Sequence, residues 1–367
     1  MKNLAHPDIH SAAPAPHDSP SPDQQQAEVS SASCGPVRDA CQSTDSRLED
    51  CHTSAETPST VSRFSRPLSR RRFLARSAMA AAGVGLLGAP ALARVSAKPT
   101  PIRAIAYNVL ECKGWPSDKE RALNVMEKGQ MAKRFALELS LYDPDIIAFA
   151  ESPDQSVTDE IARLMEMNVT YFPSGGYWPG TLFSRFEILD AENVPLVEGT
   201  RPEDLFTRHW GRATLRLSAS ETLTVYSAHL YPQNNPEGRA LREREIAEIL
   251  KATRRDSQNG ESILLIGDLN HTPDTPEYNL WMDAGWIDTH TAAGEGSGNT
   301  FRVDNPTRRI DYVMAYGPLA ERVVSSRPLF EGAFRVNGED PGSFALSDHL
   351  PVLAEFREGG FSGSVGM

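Results

Sequence analysis

An α/β fold is predicted for residues 102 to about 356, and three features of the sequence predict it. Short apolar or β-branched runs alternate there with longer helix-like stretches. Gly, Pro and Asp-Pro signals punctuate the boundaries. Five of the apolar runs end, begin or are interrupted at Asn, Asp, Glu or His, as strands do when a rigid sheet presents polar groups at its edge.

The first run, IRAIAYNVL, reads as a central strand that delivers Asn108 at its carboxyl end. Residues Asp118 to Leu141 follow as one predicted helix, with Ala122, Val125, Phe135 and Leu139 near helical spacing and Asp143-Pro144 as its stop. DIIAFAE is the second strand, ending in Glu151. Thr158 to Met167 suits a short helix, and GYWPGTLFSRFEIL carries turn signals at Gly175, Gly176 and Pro179 before strand-like residues. Arg212–Ser218 and Thr222–His229 read as two paired strands, the second ending in His229. The charged helix Pro236 to Arg254 leads to SILLIGDLN, a fully apolar strand that breaks into Asp268 and Asn270. RRIDYVMAY sets Asp311 in an apolar run, and ALSDHLPVLAEF sets Asp348 and His349 just before the last strand. No internal repeat of fixed period is present.

Composition divides the chain of 367 residues unevenly. Residues 1–68 are rich in Ser, Pro, Ala, Asp and Gln with few aromatics, too little apolar surface to offset the entropy of ordering, so a disordered leader is expected. Between Ser69 and Ala93 a basic cluster precedes a weakly hydrophobic Ala/Gly/Leu run and small residues at Ala91 and Ala93. Ser69, Arg70, Arg71, Phe73 and Leu74 make this segment resemble a twin-arginine signal peptide, spanning 69–97, which implies the twin-arginine export machinery as a partner and an exported, periplasmic or extracellular bacterial protein. Arg76 and the interruptions at Gly83, Gly85, Gly88 and Pro90 favour cleavage over a membrane span. Residues 98–360 are then one folded domain, with 361–367 a flexible tail.

The net charge is −12. Residues 1–97 hold 10 Lys+Arg and 9 Asp+Glu, which leaves 27 against 40, or −13, for residues 98–367. That argues against metal-free binding of a polyanion, yet leaves room for a nuclease whose acidic cleft is neutralised by bound cations. Three of the four cysteines, Cys34, Cys41 and Cys51, lie in the leader, so Cys112 has no partner for a disulfide within the domain and reads as a packing residue.

Asn108, Glu151, His229, Asp268, Asn270, Asp311, Asp348 and His349 form a set of hard oxygen donors with two histidines. Such a set suits Mg²⁺, with Mn²⁺ as a substitute, better than zinc, since no sulfur ligand accompanies the histidines. Asp268 follows the apolar run ILLIG, where a carboxylate without a metal or hydrogen-bond partner would be costly. For Asp311, Arg308 and Arg309 offer a structural ion pair as the plain explanation. His209, His271 and His290 read as surface or packing residues.

The strings AYNVL, DIIAFAE, SAHL, GDLN, RRIDYV and ALSDHLPV, in this order over Ile102 to Phe356, resemble the endonuclease/exonuclease/phosphatase superfamily. The resemblance implies a two-layer β-sandwich flanked by helices, a four-layer αββα arrangement, and hydrolysis of a phosphoester: nucleic acid, a small phosphoester or a lipid headgroup. It implies that Glu151 is the main metal ligand, that Asn108 helps place metal and phosphate, and that Asp348 serves a second metal position. Asp268 would orient or deprotonate the attacking water, Asn270 would hydrogen-bond the phosphoryl oxygens, Asp311 would fix the tautomer of His349, and His229 would donate to the phosphate or leaving group. The base stays open between Asp268 and His349. Abasic-site endonucleases carry a carboxylate two places after the strand-end Asn; that place is Leu110 here, with Glu111 out of phase. Tyr177 and Arg185 are candidate substrate contacts from the loop GYWPGTLFSR. The expected activity is of phosphodiesterase or nuclease type in a monomer. A phosphatase or phospholipase-like enzyme is the alternative, and an inactive binding module on the same scaffold a third possibility.

Overall fold

Strands that are apolar on both faces must be covered on both, and here two sheets cover one another while helices cover their outer faces. The computed structural model describes residues 101–174, 177–193 and 205–357, all within the unit Pro67–Met367. The expected leader (1–68), signal peptide (69–97) and tail (361–367) lie outside the described residues.

In chain order the elements are β1 (Ile102–Asn108), α1 (Glu120–Glu127), α2 (Met131–Ser140), β2 (Ile146–Ala150), α3 (Gln155–Met165), β3 (Asn168–Phe172), β4 (Gly180–Ser184), β5 (Glu187–Glu192), β6 (Trp210–Arg216), β7 (Thr222–His229), α4 (Pro236–Asp256), β8 (Ser262–Asp268), α5 (Pro276–Asp283), β9 (Ile287–Asp288), α6 (Thr289–Ala293), β10 (Asp311–Tyr316), β11 (Val323–Pro328) and β12 (Val352–Phe356). One sheet runs β11-β12-β1-β2-β4-β3 and the other β5-β6-β7-β8-β10-β9. Each has one parallel pair near its middle, β1 with β2 and β7 with β8, and each pair is joined by a helical crossover, as parallel strands require. The remaining neighbours are antiparallel.

The period of two along each strand divides the core into three layers. Ala104 and Ala106 of β1 face Leu264 and Ile266 of β8 in the core between the sheets. Ile105 and Tyr107 turn outward onto Phe135 and Leu139 of α2. On the other side Ile263 and Leu265 meet Ile246 and Ile249 of α4 and Trp281 of α5. Each large side chain fully buried in this way contributes about 1.5–3 kcal/mol. The two-layer sandwich flanked by helices is therefore the architecture of this chain.

Three details differ from expectation. The single helix over Asp118–Leu141 is two. Gly129, at φ +61°, ends α1 by letting its N–H donate to Met126 O and the Gln130 N–H to Val125 O, the pairing of a Schellman motif. The strand-like residues after Gly175 separate into different sheets, β4 in the first and β5 in the second. The helices α5 and α6 and the strands β3, β9 and β11 are absent from the sequence reading, because short or edge elements carry little periodicity.

Candidate active site

Strand direction brings the predicted residues together. β1, β2, β7 and β8 end at one edge of the sandwich, and β10, antiparallel to β8, begins there. Register pairs His229 with Asp268 and Asp268 with Asp311, so three strand termini set these side chains in a row. In the other sheet Asn108 pairs with Ala150, the neighbour of Glu151. His349 arrives on the segment before β12, antiparallel to β1. Backbone strain gathers at the same edge: Leu110, Glu111, Cys112, Glu151, Trp178, Phe206 and Asn270 all have positive φ, a conformation costly for L-residues and typical of functional sites.

Asp268 is the hub. Its Oδ2 accepts from Asn108 Nδ2 at 3.1 Å and lies 3.6 Å from His229 Nε2 and 3.9 Å from His349 Nε2. Its Oδ1 accepts the Asn270 N–H at 3.0 Å. Asn270 spends one amide N–H on Leu230 O at 2.9 Å. Asp311 Oδ2 sits 2.8 Å from His349 Nδ1, while its Oδ1 is buried without a hydrogen-bond partner. Asn108 Oδ1 accepts the Leu110 N–H at 3.2 Å.

Burial and crowding shift these groups. Asp268 is pushed up to about 7, by burial first and then by the like charge of Asp311. Burial also raises Glu151, against a hydrogen bond from Asn108. For His349, burial acts to lower the pKa, but the charge and hydrogen bond of Asp311 and the charge of Asp268 carry it up to about 10. His229 moves the other way, well below its ordinary value through burial and the nearby Arg208, and its Nδ1 has no partner. The two histidines are thus driven in opposite directions, His349 toward the imidazolium and His229 toward the neutral imidazole, while Asp268 is held above the usual carboxylate range.

The donors fit a hard divalent cation. Ligand atoms of Asp268, Asp311 and His349 lie within 4.8 Å of one another, and the orphaned Asp311 Oδ1 together with the raised Asp268 and Glu151 marks uncompensated negative charge. A protonated His349 makes a poor ligand, so the oxygens of Glu151 and Asn108 are the better donor set. Cys112 is buried in the core against α2 and offers no thiolate.

The other predicted residues are placed less uniformly. Asp348 is half-buried beside His349, its carboxylate accepting from Ser347 Oγ at 3.3 Å. Tyr177 is 84% exposed near the start of β4. Arg185 corrects the sequence reading: it follows the far end of β4, where its guanidinium pairs with Asp143 and Asp145 and is unavailable for a ligand at the Gly180 end. Glu111 pairs with Lys113, so the left-handed turn after Asn108 does not restore the missing carboxylate. His209 and His271 are buried packing residues. Arg208 was not anticipated. It stands half-buried just before β6, attracted by Glu151 and Asp268, and its Nε is buried without a partner. The only signal for it in the sequence is an arginine just ahead of a predicted strand.

The sequence profile described as "Endonuclease/Exonuclease/phosphatase family" matches residues 105–349. Among solved structures, a mannosyl-6-phosphatase from Bacteroides thetaiotaomicron is similar at 15% identity and a TM-score of 0.56, covering 70% of this chain and 100% of its own. The catalytic domain of human Nocturnin with bound sulfate is similar at 19% identity and a TM-score of 0.52, covering 71% and 95%. TDP2 from C. elegans is similar at 17% identity and a TM-score of 0.50, covering 72% and 77%. At these identities the likeness is one of fold. No curated protein matches the chain by sequence.

Proposed function

Since the chain belongs to the endonuclease/exonuclease/phosphatase family, we propose that it is an exported, Mg²⁺-dependent phosphoester hydrolase of phosphodiesterase or nuclease type. The observation that carries this reading is geometric: Asp268, a buried carboxylate, lies in register between His229 and Asp311, accepts from Asn108 at 3.1 Å and stands 3.9 Å from His349 Nε2. A general base works best with a pKa near the working pH. Asp311, 2.8 Å from His349 Nδ1, favours the protonated imidazole, so we assign the role of base to Asp268.

Asp268 takes the proton of the attacking water. His349 presents an imidazolium to the phosphate, fixed by Asp311 as an orienting carboxylate fixes a catalytic histidine. Arg208 and the second amide N–H of Asn270 add donors for the phosphoryl oxygens, and the neutral His229 supplies an N–H toward the phosphate or leaving oxygen. Glu151 and Asn108 would hold the cation, with Asp348 at the margin; bound there it supplies charge neutralisation on the phosphate. Mn²⁺ is expected to substitute.

Hydrolysis of DNA, bis-nitrophenyl phosphate and nitrophenyl phosphate by residues 98–367, with Mg²⁺, Mn²⁺ or EDTA, tests the proposal. Activity on a diester, abolished by EDTA and by His349→Ala, is expected. Inactivity on all three, with or without metal, would overturn it. The acidic charge of residues 98–367 favours a second reading, a phosphatase or phospholipase-like enzyme, and preference for the monoester would select it. Export rests on residues 69–97; a fusion of that segment to a reporter, exported only with Arg70 and Arg71 intact, tests it.

A further inference from the structure

Two buried charges of α4 lie outside the chemistry described above. Arg242 and Glu245 are both 1% exposed, and both face the segments that carry Arg208 and His229. Glu245 Oε1 accepts the Phe206 N–H at 2.8 Å, and its Oε2 accepts the Tyr231 N–H at 2.9 Å. Arg242 donates from Nη1 to Tyr231 O at 3.0 Å and to Gln233 O at 2.8 Å. Its other nitrogens bind Glu277 of α5, at 3.1 Å from Nε and 2.8 Å from Nη2. Residues 206 and 231 are therefore tied to each other through one carboxylate.

What those segments hold explains why the tie matters. Phe206, two residues before Arg208, is in the left-handed region at φ +55°, a conformation that a non-glycine residue keeps only under outside constraint. Tyr231, two residues after His229, has its ring 5.9 Å from the Arg208 guanidinium carbon. Between them, the His229 N–H donates to His209 O at 3.0 Å. Leu230 O receives the Asn270 amide at 2.9 Å. A carboxylate that accepts two backbone N–H groups forms charge-assisted bonds that are stronger than neutral ones and directional.

We propose that Glu245 is a positioning residue: by gripping the Phe206 and Tyr231 amides at once, it sets where Arg208 and His229 stand relative to Asp268 and Glu151, and Arg242 secures it by holding the other side of Tyr231. This rests on the phosphoesterase reading for its catalytic consequence, but the grip itself is a property of the fold.

The test pairs kinetics with amide hydrogen exchange. Glu245→Leu removes both acceptors, and a drift of ~1 Å in Arg208 or His229 lowers kcat/KM on bis-nitrophenyl phosphate by about 100-fold. Glu245→Gln keeps one carbonyl acceptor and is expected to fall less than about 10-fold, a partial rescue. In an Arg208→Ala background the Glu245→Leu loss shrinks several-fold, since much of it acts through Arg208. Exchange accelerates at residues 205–209 and 229–233 and stays unchanged in β1, β2 and β8. Should Glu245→Leu fail to fold, Glu245→Asp keeps the charge, is too short to span both amides, and carries the same readouts. Equal losses in both backgrounds, or unaltered exchange in the two segments, overturn the proposal. A wild-type chain inert toward every phosphoester, with exchange changing as expected, overturns the functional reading and leaves the grip standing.

Discussion

Asp268 illustrates how one side chain can be set to its task by neighbours alone. Water exclusion raises its pKa, Asp311 raises it further, and His349 and Asn108 restrain the rise. Asp268→Asn preserves the shape and the Asn270 contact but removes the proton acceptor, so kcat is expected to drop by about 10³-fold with the fold intact by circular dichroism. Asp311→Asn and His349→Ala act on one hydrogen-bonded unit. Their kinetic losses are expected to be far from additive, the double variant losing hardly more than the worse single one. Additive losses would mean that Asp311 has a role apart from orienting His349.

At the scale of elements, the site is as good as the register that holds β7, β8 and β10 side by side. Gly267, one residue before Asp268, pairs with Ala228 of β7 and leaves no room for a side chain: a Cβ there would lie 1.8 Å from the Ala228 carbonyl oxygen. Gly267→Ala is expected to cost about 3 kcal/mol, seen as a lower urea midpoint, and to reduce activity because His229 and Asp268 lie just beyond. Gly129 between α1 and α2 provides the contrast. A Cβ there meets nothing within 4 Å, so Gly129→Ala carries only the left-handed backbone penalty of about 1–2 kcal/mol and leaves activity unchanged.

For the whole molecule, buried neutral histidines make stability depend on pH. His209 and His271 are each held down to about 3 by burial, and Trp281 donates its indole N–H to His271 Nε2 at 3.1 Å, which requires that nitrogen unprotonated. Unfolded, each titrates near the ordinary histidine value of about 6.5. Between those values the unfolded chain binds a proton that the folded chain does not. Stability is therefore full above about pH 6.5 and declines as pH falls toward 3, by up to about 1.4 kcal/mol per pH unit for each histidine. Urea midpoints between pH 7 and pH 4 should trace that decline, and His271→Gln should flatten it; an unchanged slope would show that His271 does not drive it.

Much of this protein can be read from the sequence because burial on both faces forces β1, β2, β7, β8 and β10 into continuous apolar runs, against which Asn108, Glu151, His229, Asp268 and Asp311 stand out as polar strand ends. The same local reasoning identifies α4 and the β6–β7 pair but runs α1 and α2 together across Gly129. Tertiary structure decided the rest. Which strands lie side by side, and so whether Asp268 faces Asp311 and His349, depends on pairings between residues dozens of positions apart. So do the shifted proton affinities, since each is a sum over neighbours brought close by folding. Arg185 and Arg208 make the point together: both are arginines near a strand end, and only the direction of the strands puts Arg208 beside Glu151 and Asp268 and ties Arg185 to Asp143 and Asp145 at the opposite end of β4.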